Sequence, residues 1–444
     1  MVRRMGACHA GCVECFRRGL DFGLIGRERA ETVGSGDRGL AWPRPPMGAA
    51  FGLAVAFFCL LGSQGDPRPL ATYGLVLATP LVLLLTLQTR SAWLAASFLV
   101  FLGIAVRLAT LDRHYFGSDV ILVTREALRT ILDGHNPYGH HYVVSDNPFA
   151  YPPGNLLYYL PGYLMDDTRA TEIFSSAVVL IGLAWVAART RSDGVIASLG
   201  LYAAAPPLIA VATDGSNDTS AGAILFVSVL ALLCARRGLS GAMLVGSGIL
   251  MGEALSFKQY ALPFWPLFVV YLASTKWDVS ITVPGGRMIR RPAWLWYAGS
   301  SLAFVAITGL PFLLWSPTNF ISDLTAWWPI EIHPIEGWNI WAFLLEWLGW
   351  DAQGALGDWL VAIDLGLTSI AIMGAILIWG VANPSRALVA GVGGWFVLML
   401  FARWTTYAYF AGVAPVILLI PFADGLAEGW NQPMLPLTAK PAGS

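Results

Sequence analysis

Charge is what this chain most lacks: only 12% of its 444 residues are Asp, Glu, Lys or Arg, against about 25% in a soluble domain. Lysine is scarcer still, with Lys258, Lys276 and Lys440 the only three among 27 basic residues. A net charge of −1 without a basic block excludes a nucleic-acid binder. Disorder over most of the length is excluded by 56% hydrophobic residues. Cysteine is sparse, at five, and implies no disulfide framework. A repeat of 20–50 residues is not visible, which excludes a solenoid and gives no support to an inverted-repeat transporter. Nor is a cleavable signal peptide seen. What the chain does have is long apolar runs, with a mean hydropathy of +0.61. Since one span takes about 20 residues, a polytopic membrane protein follows.

Twelve apolar stretches predict helices at about 47–63, 70–87, 91–110, 171–188, 194–212, 219–235, 239–257, 260–274, 294–315, 359–380, 386–401 and 407–422. The alternation of an outer-membrane barrel is absent, so the expected fold is all-α. It comprises about twelve transmembrane helices within residues 47–430, flanked by tails at 1–46 and 431–444. The first tail holds Cys8-x3-Cys12-x2-Cys15 beside His9, the spacing of an iron–sulfur triad, yet no sheet pattern surrounds it. A disordered cytoplasmic tail, or a start codon placed too early with Met47 as the true start, is the expectation. Alternating twelve spans from a cytoplasmic N-terminus leaves 19 of the 27 Lys and Arg inside and 8, including Arg107, Arg169, Lys258 and Arg403, outside. Both termini are then cytoplasmic, in a plasma membrane.

With that topology the polar residues gather on the outer face. The first large outer loop, 111–170, contains Gly117-Ser118-Asp119, a short amphipathic stretch, Gly134-His135-Asn136-Pro137-Tyr138 and Tyr151-Pro152-Pro153. Its segment 154–165 is apolar but short, and reads as an interfacial or re-entrant juxtamembrane helix. Later outer segments are Thr213-Asp214-Gly215-Ser216-Asn217-Asp218, Phe257-Lys258-Gln259-Tyr260, the aromatic loop 316–358 with Glu331, His333 and Glu336, and Arg403-x3-Tyr407. Polar groups at membrane depth cost about 2.5–3.5 kcal/mol each, so their concentration at one rim predicts a shared outward-facing cavity.

In order, spacing and side, these motifs resemble the GT-C superfamily of integral-membrane glycosyltransferases, which take sugars from polyprenyl-phosphate carriers. The likeness is to the bacterial mannosyltransferase-like branch, over about residues 91–422, with a single Asp119 where the family usually has an acidic residue or pair. The resemblance implies transfer of a mannose-like sugar from the lipid-linked donor to a hydroxyl on a glycan, lipid or protein. It allows a divalent metal and assigns no ligands to one.

Elementary chemistry fits the same reaction. A carboxylate beside the attacking hydroxyl takes its proton, a role for Asp119. The departing phosphate needs cations, with Lys258, Arg403 and His333 as candidates. Tyr138, Tyr151, Asp214, Asn217, Asp218, Gln259, Glu331, Glu336 and Tyr407 are candidate substrate contacts. Each has a plainer competitor. Asp119 could cap the helix starting near Val120, Asp214 and Asp218 could shape a turn and cap the next helix, and Lys258 could pair with Glu253. A transporter or lipid flippase is the rival function. It would place ionisable residues deep in the spans, where the sequence offers only Glu253 and Asp364.

Overall fold

The structure is a computed structural model that describes residues 46–62, 70–111, 117–190, 192–238, 240–282, 288–325, 335–357 and 359–428. The tail up to residue 45 with its cysteine triad, Glu331, His333 and the tail from 429 lie outside the described residues.

The described chain is predominantly helical, as an apolar chain in lipid must be, because a helix satisfies every interior backbone group within itself. Its helices are α1 (Met47–Gly62), α2 (Leu70–Thr89), α3 (Ala92–Thr110), α4 (Val120–Leu132), α5 (Gly154–Leu164), α6 (Ala170–Thr190), α7 (Asp193–Ala204), α8 (Pro206–Val211), α9 (Asp218–Gly238) and α10 (Gly241–Phe257). They continue with α11 (Phe264–Ser274), α12 (Ala293–Trp315), α13 (Pro317–Leu324), α14 (Ile340–Leu348), α15 (Ala352–Leu356), α16 (Trp359–Gly374), α17 (Pro384–Phe401), α18 (Tyr407–Ile417) and α19 (Ala423–Glu428).

Eight described helical segments are long and apolar enough to cross a membrane: Ala71–Thr89, Ala92–Thr110, Ala170–Thr190, Asp218–Gly238, Ala293–Trp315, Trp359–Trp379, Pro384–Phe401 and Tyr407–Glu428. The other four apolar stretches fold as shorter helices: α1, α7, α10 and α11. Proline explains two of these. Pro263 precedes α11, and Pro206-Pro207 end α7 because neither has an N–H for the carbonyl four residues back.

The carbonyls orphaned by Pro206 and Pro207 are those of Tyr202 and Ala203, and Arg107 serves both. Its Nη2 donates to the Tyr202 carbonyl at 2.9 Å and its Nη1 to the Ala203 carbonyl at 3.0 Å. Nη1 also reaches the Gly103 carbonyl at 3.0 Å, and the guanidinium lies 5.2 Å from the Tyr202 ring centroid. Arg107 is 0% exposed. The sequence expectation of Arg107 as an outer-loop cation is therefore corrected: it is a structural bolt inside α3.

Close helix approach also depends on glycine. A Cβ on Gly222 of α9 would run into the Gly412 carbonyl of α18, so this pair lets the two helices meet one turn below Asp218. Short strands lie between the helices: β1 (His141–Tyr142) pairs with β2 (Asn147–Pro148), and β3 (Asp278–Thr282) with β4 (Met288–Pro292), both antiparallel. β5 (Glu336–Gly337) runs parallel to β6 (Trp404–Thr405). A large apolar core joins most helices, and a smaller one, Ile335, Trp341, Ala352 and Leu360, underlies α14–α16.

Candidate functional site

Hydrogen bonds tie together several of the loops that carry the polar residues singled out by the sequence. The Asp214 carbonyl accepts from the Gly117 and Ser118 amides at 2.7 and 3.0 Å, and the Gly215 carbonyl from the Ile121 amide at 3.1 Å. The loop before α9 thus holds the start of α4, although about a hundred residues separate them. Gly139, at φ +87°, donates its N–H to Asp323 Oδ2 of α13 at 2.7 Å.

Asp119 occupies the N-cap position of α4, yet its side chain makes no capping bond. Its Oδ2 accepts from Asn147 Nδ2 of β2 at 2.9 Å. The carboxylate is therefore not spent on its own helix, and the plain capping reading gives way. Asn147 is a partner that sequence reasoning missed. It sits in an irregular loop, and only the β1–β2 hairpin brings it to Asp119.

Lys258, Asp218 and Asn217 form a buried cluster. Lys258 Nζ donates to Asp218 Oδ1 at 2.6 Å and to Asn217 Oδ1 at 2.9 Å. The Tyr260 hydroxyl donates to the same Asp218 oxygen. Relative exposures are 5% for Lys258, 2% for Asp218 and 0% for Asn217. Three tyrosine rings surround the ammonium, with centroids at 4.7 Å (Tyr409), 4.8 Å (Tyr260) and 5.9 Å (Tyr151), each a favourable cation–π distance. The partner of Lys258 is thus Asp218 across the fold, not Glu253 along its own helix. Asn217 Nδ2 is buried without a hydrogen-bond partner, a donor left unspent beside the ammonium.

Tyr151 adjoins the Lys258 cluster through its ring. Burial raises its phenol pKa well above the usual value, with Tyr409, Asp218 and Asp119 adding to the rise. Backbone bonds from the Gly117 and Ser118 amides to the Asp214 carbonyl set Asp119 beside the loop that leads into Asn217 and Asp218. Tyr138 holds the Tyr151 ring in place: its hydroxyl donates to the Tyr151 carbonyl at 2.9 Å, and its own ring is buried against Phe149, Phe312 and Phe320. Its visible role is structural support beneath Tyr151.

Asp214 does shape a turn, as its plainer reading expects. Its Oδ1 accepts from the Ser216 amide at 2.8 Å, while Oδ2 takes the Tyr407 hydroxyl at 3.0 Å. Burial pushes its pKa up, partly opposed by the Ser216 amide. Tyr407 thereby joins the Asp214 loop to the Arg403 segment. Arg403 is buried, and its carbonyl accepts from the Glu336 amide and Asn339 Nδ2, both at 3.2 Å. Glu336 and Gln259 are exposed.

Two further residues hold positions to which the sequence assigned no role. Glu172, 1% exposed in the first turn of α6, accepts from the Tyr159 and Ser220 hydroxyls and, at 3.1 Å, from the Ser220 amide. Arg169, 4% exposed, donates to the Thr213 carbonyl. Arg107 and Glu172 are buried within helices long and apolar enough to cross a membrane, so Glu253 and Asp364 are not the only ionisable residues in the apolar stretches, and that expectation is corrected. Among the described residues no group of three His, Cys, Asp or Glu side chains converges on a metal-sized site. No family model, curated protein or solved structure matches the chain.

Proposed function

We propose that the chain is a membrane glycosyltransferase of GT-C type with about twelve spans and cytoplasmic termini, acting on the extracytoplasmic face of a bacterial inner membrane. It moves a mannose-like sugar from a polyprenyl-phosphate carrier to a hydroxyl acceptor. One observation carries the reading: an Asp119 carboxylate free of capping duty and oriented by Asn147 stands beside the loop that carries Asn217 and Asp218, the partners of Lys258.

In the proposed reaction the acceptor oxygen attacks the anomeric carbon as Asp119 takes its proton, and the bond from that carbon to the carrier phosphate breaks. The configuration inverts in this single displacement. Charge grows on the departing phosphate, which calls for donors already aimed at it. Lys258 offers one N–H beyond the two it spends on Asp218 and Asn217, and Asn217 Nδ2 offers another. Arg403 and His333 are further cations for the same role. Asp214 and Tyr407 hold the loop edges, and Gln259, Glu331 and Glu336 are reserved for substrate hydroxyls.

Membranes carrying the wild type or Asp119→Asn, supplied with polyprenyl-phosphate mannose and an alkyl glycoside acceptor, test the reading. The wild type is expected to form an inverted product, and the variant to lose at least about 100-fold in rate. Equal rates overturn the base assignment, a retained configuration overturns direct displacement, and no transfer by the wild type overturns the enzyme reading.

A further inference from the structure

The α9 helix begins at Asp218, so Asn217 is its N-cap residue and Ser220 its third position. Asparagine is among the best N-caps because its side-chain oxygen accepts from the amide of the second or third residue. Here that oxygen instead accepts from Lys258. The Ser220 amide is capped from outside the helix, by Glu172 Oε2 of α6 at 3.1 Å. Three residues before Glu172, Arg169 donates to the Thr213 carbonyl at the other end of the same loop. Both clamp residues are nearly fully buried.

We infer that Arg169 and Glu172 are positioning residues that grip both ends of the 213–220 loop, and that Glu172 takes over helix capping so that Asn217 can hold Lys258 for the carrier phosphate. This rests on the proposed placement of that phosphate. Without Glu172, the Ser220 amide has no acceptor in a place closed to water. The Asn217 side chain is then drawn back to its ordinary capping bond, and Lys258 loses one of its two oxygen partners. The other oxygen of Glu172 takes the Tyr159 and Ser220 hydroxyls, and Ser220 Oγ lies 2.8 Å from Ser175 Oγ. Hydroxyls can reverse their bonds, so a glutamine at 172 keeps an acceptor for the Ser220 amide, whereas an alanine keeps none.

The test uses the full chain in lipid nanodiscs. Carrier affinity is read from the thermal shift produced by a polyprenyl phosphate, and donor and acceptor KM are read from sugar transfer. Glu172→Ala is expected to weaken carrier binding and raise donor KM by about tenfold or more, leaving acceptor KM unchanged. Glu172→Gln is expected to stay within about threefold of wild type, a conservative rescue that a nonspecific loss of folded protein would not produce. Arg169→Lys keeps the charge but not the planar reach, and is expected to raise donor KM severalfold. It carries the test alone should Glu172→Ala fail to fold. Carrier affinity and donor KM within about twofold of wild type in folded Glu172→Ala and Arg169→Lys overturn the clamp and leave the enzyme reading standing. A wild type that binds no polyprenyl phosphate overturns both.

Discussion

Replacing Lys258 with methionine strands the Asp218 carboxylate in a site where it is 2% exposed, with the Tyr260 hydroxyl as the donor that remains. Removing one partner of a buried pair costs about 3–5 kcal/mol, because the other charge stays dehydrated and uncompensated. The ammonium also gives up its three tyrosine rings at 4.7–5.9 Å, worth on the order of 1 kcal/mol in all where methionine still fills the space. A chain of 444 residues loses roughly 1 °C of thermal midpoint per kcal/mol, so Lys258→Met is expected to melt about 4–6 °C lower. The double variant Asp218→Asn, Lys258→Met removes both charges and leaves Asn an oxygen for Tyr260. It is expected to recover most of that loss, since exchanging a whole buried pair for neutral groups is often close to neutral. Thermal unfolding of the purified chain in one detergent, followed by the monodisperse fraction, measures all three proteins. A single variant melting within about 1 °C of wild type, or a double variant as unstable as the single, would refute a desolvated pair at this site.

Arg107→Lys keeps the buried charge but not the planar fork that serves the Tyr202 and Ala203 carbonyls together; the thermal midpoint is expected to fall by about 2–4 °C, and an unchanged midpoint would discount the bolt. For Asp214 the sign follows from burial, which raises its folded pKa. The folded state then binds the proton more tightly, so ionisation costs stability progressively as pH rises from the unfolded value of about 3.9 through the raised native one. Asp214→Asn retains an acceptor for the Ser216 amide, and is expected to melt higher than wild type above that window and alike below it; a lower midpoint at neutral pH contradicts this. Gly337→Ala puts a Cβ against the Thr405 carbonyl at a φ of +94° and is expected to cost about 1–3 kcal/mol, read as increased proteolysis around β5 and β6; wild-type resistance there would show the pairing to be tolerant.

Much of the site was legible because its residues are expensive where they stand. Asp119, Asp214, Asp218 and Lys258 draw attention in a chain with so little charge, and their sequence positions at the ends of apolar runs predict one shared rim. Their partners were not legible. Lys258 pairs with a residue 40 positions away rather than with Glu253, five away, because α9 and α10 lie antiparallel and bring their ends together. Glu172 was overlooked, and Arg107 assigned to an outer loop, because each sits within an apolar run whose average hides a single polar side chain. What they bond, backbone groups freed at α9's start and by Pro206-Pro207, exists only once helices pack.

Composition and run length by themselves determined that this chain is helical and suited to a membrane, since lipid leaves an apolar backbone no other local solution. They also placed the scarce charge at helix ends. Only the tertiary structure decided which charges neutralise one another, which helices fall short of full length, and which residue caps which helix. Those outcomes turn on distances of about 3 Å between groups remote in sequence, and no local pattern encodes them.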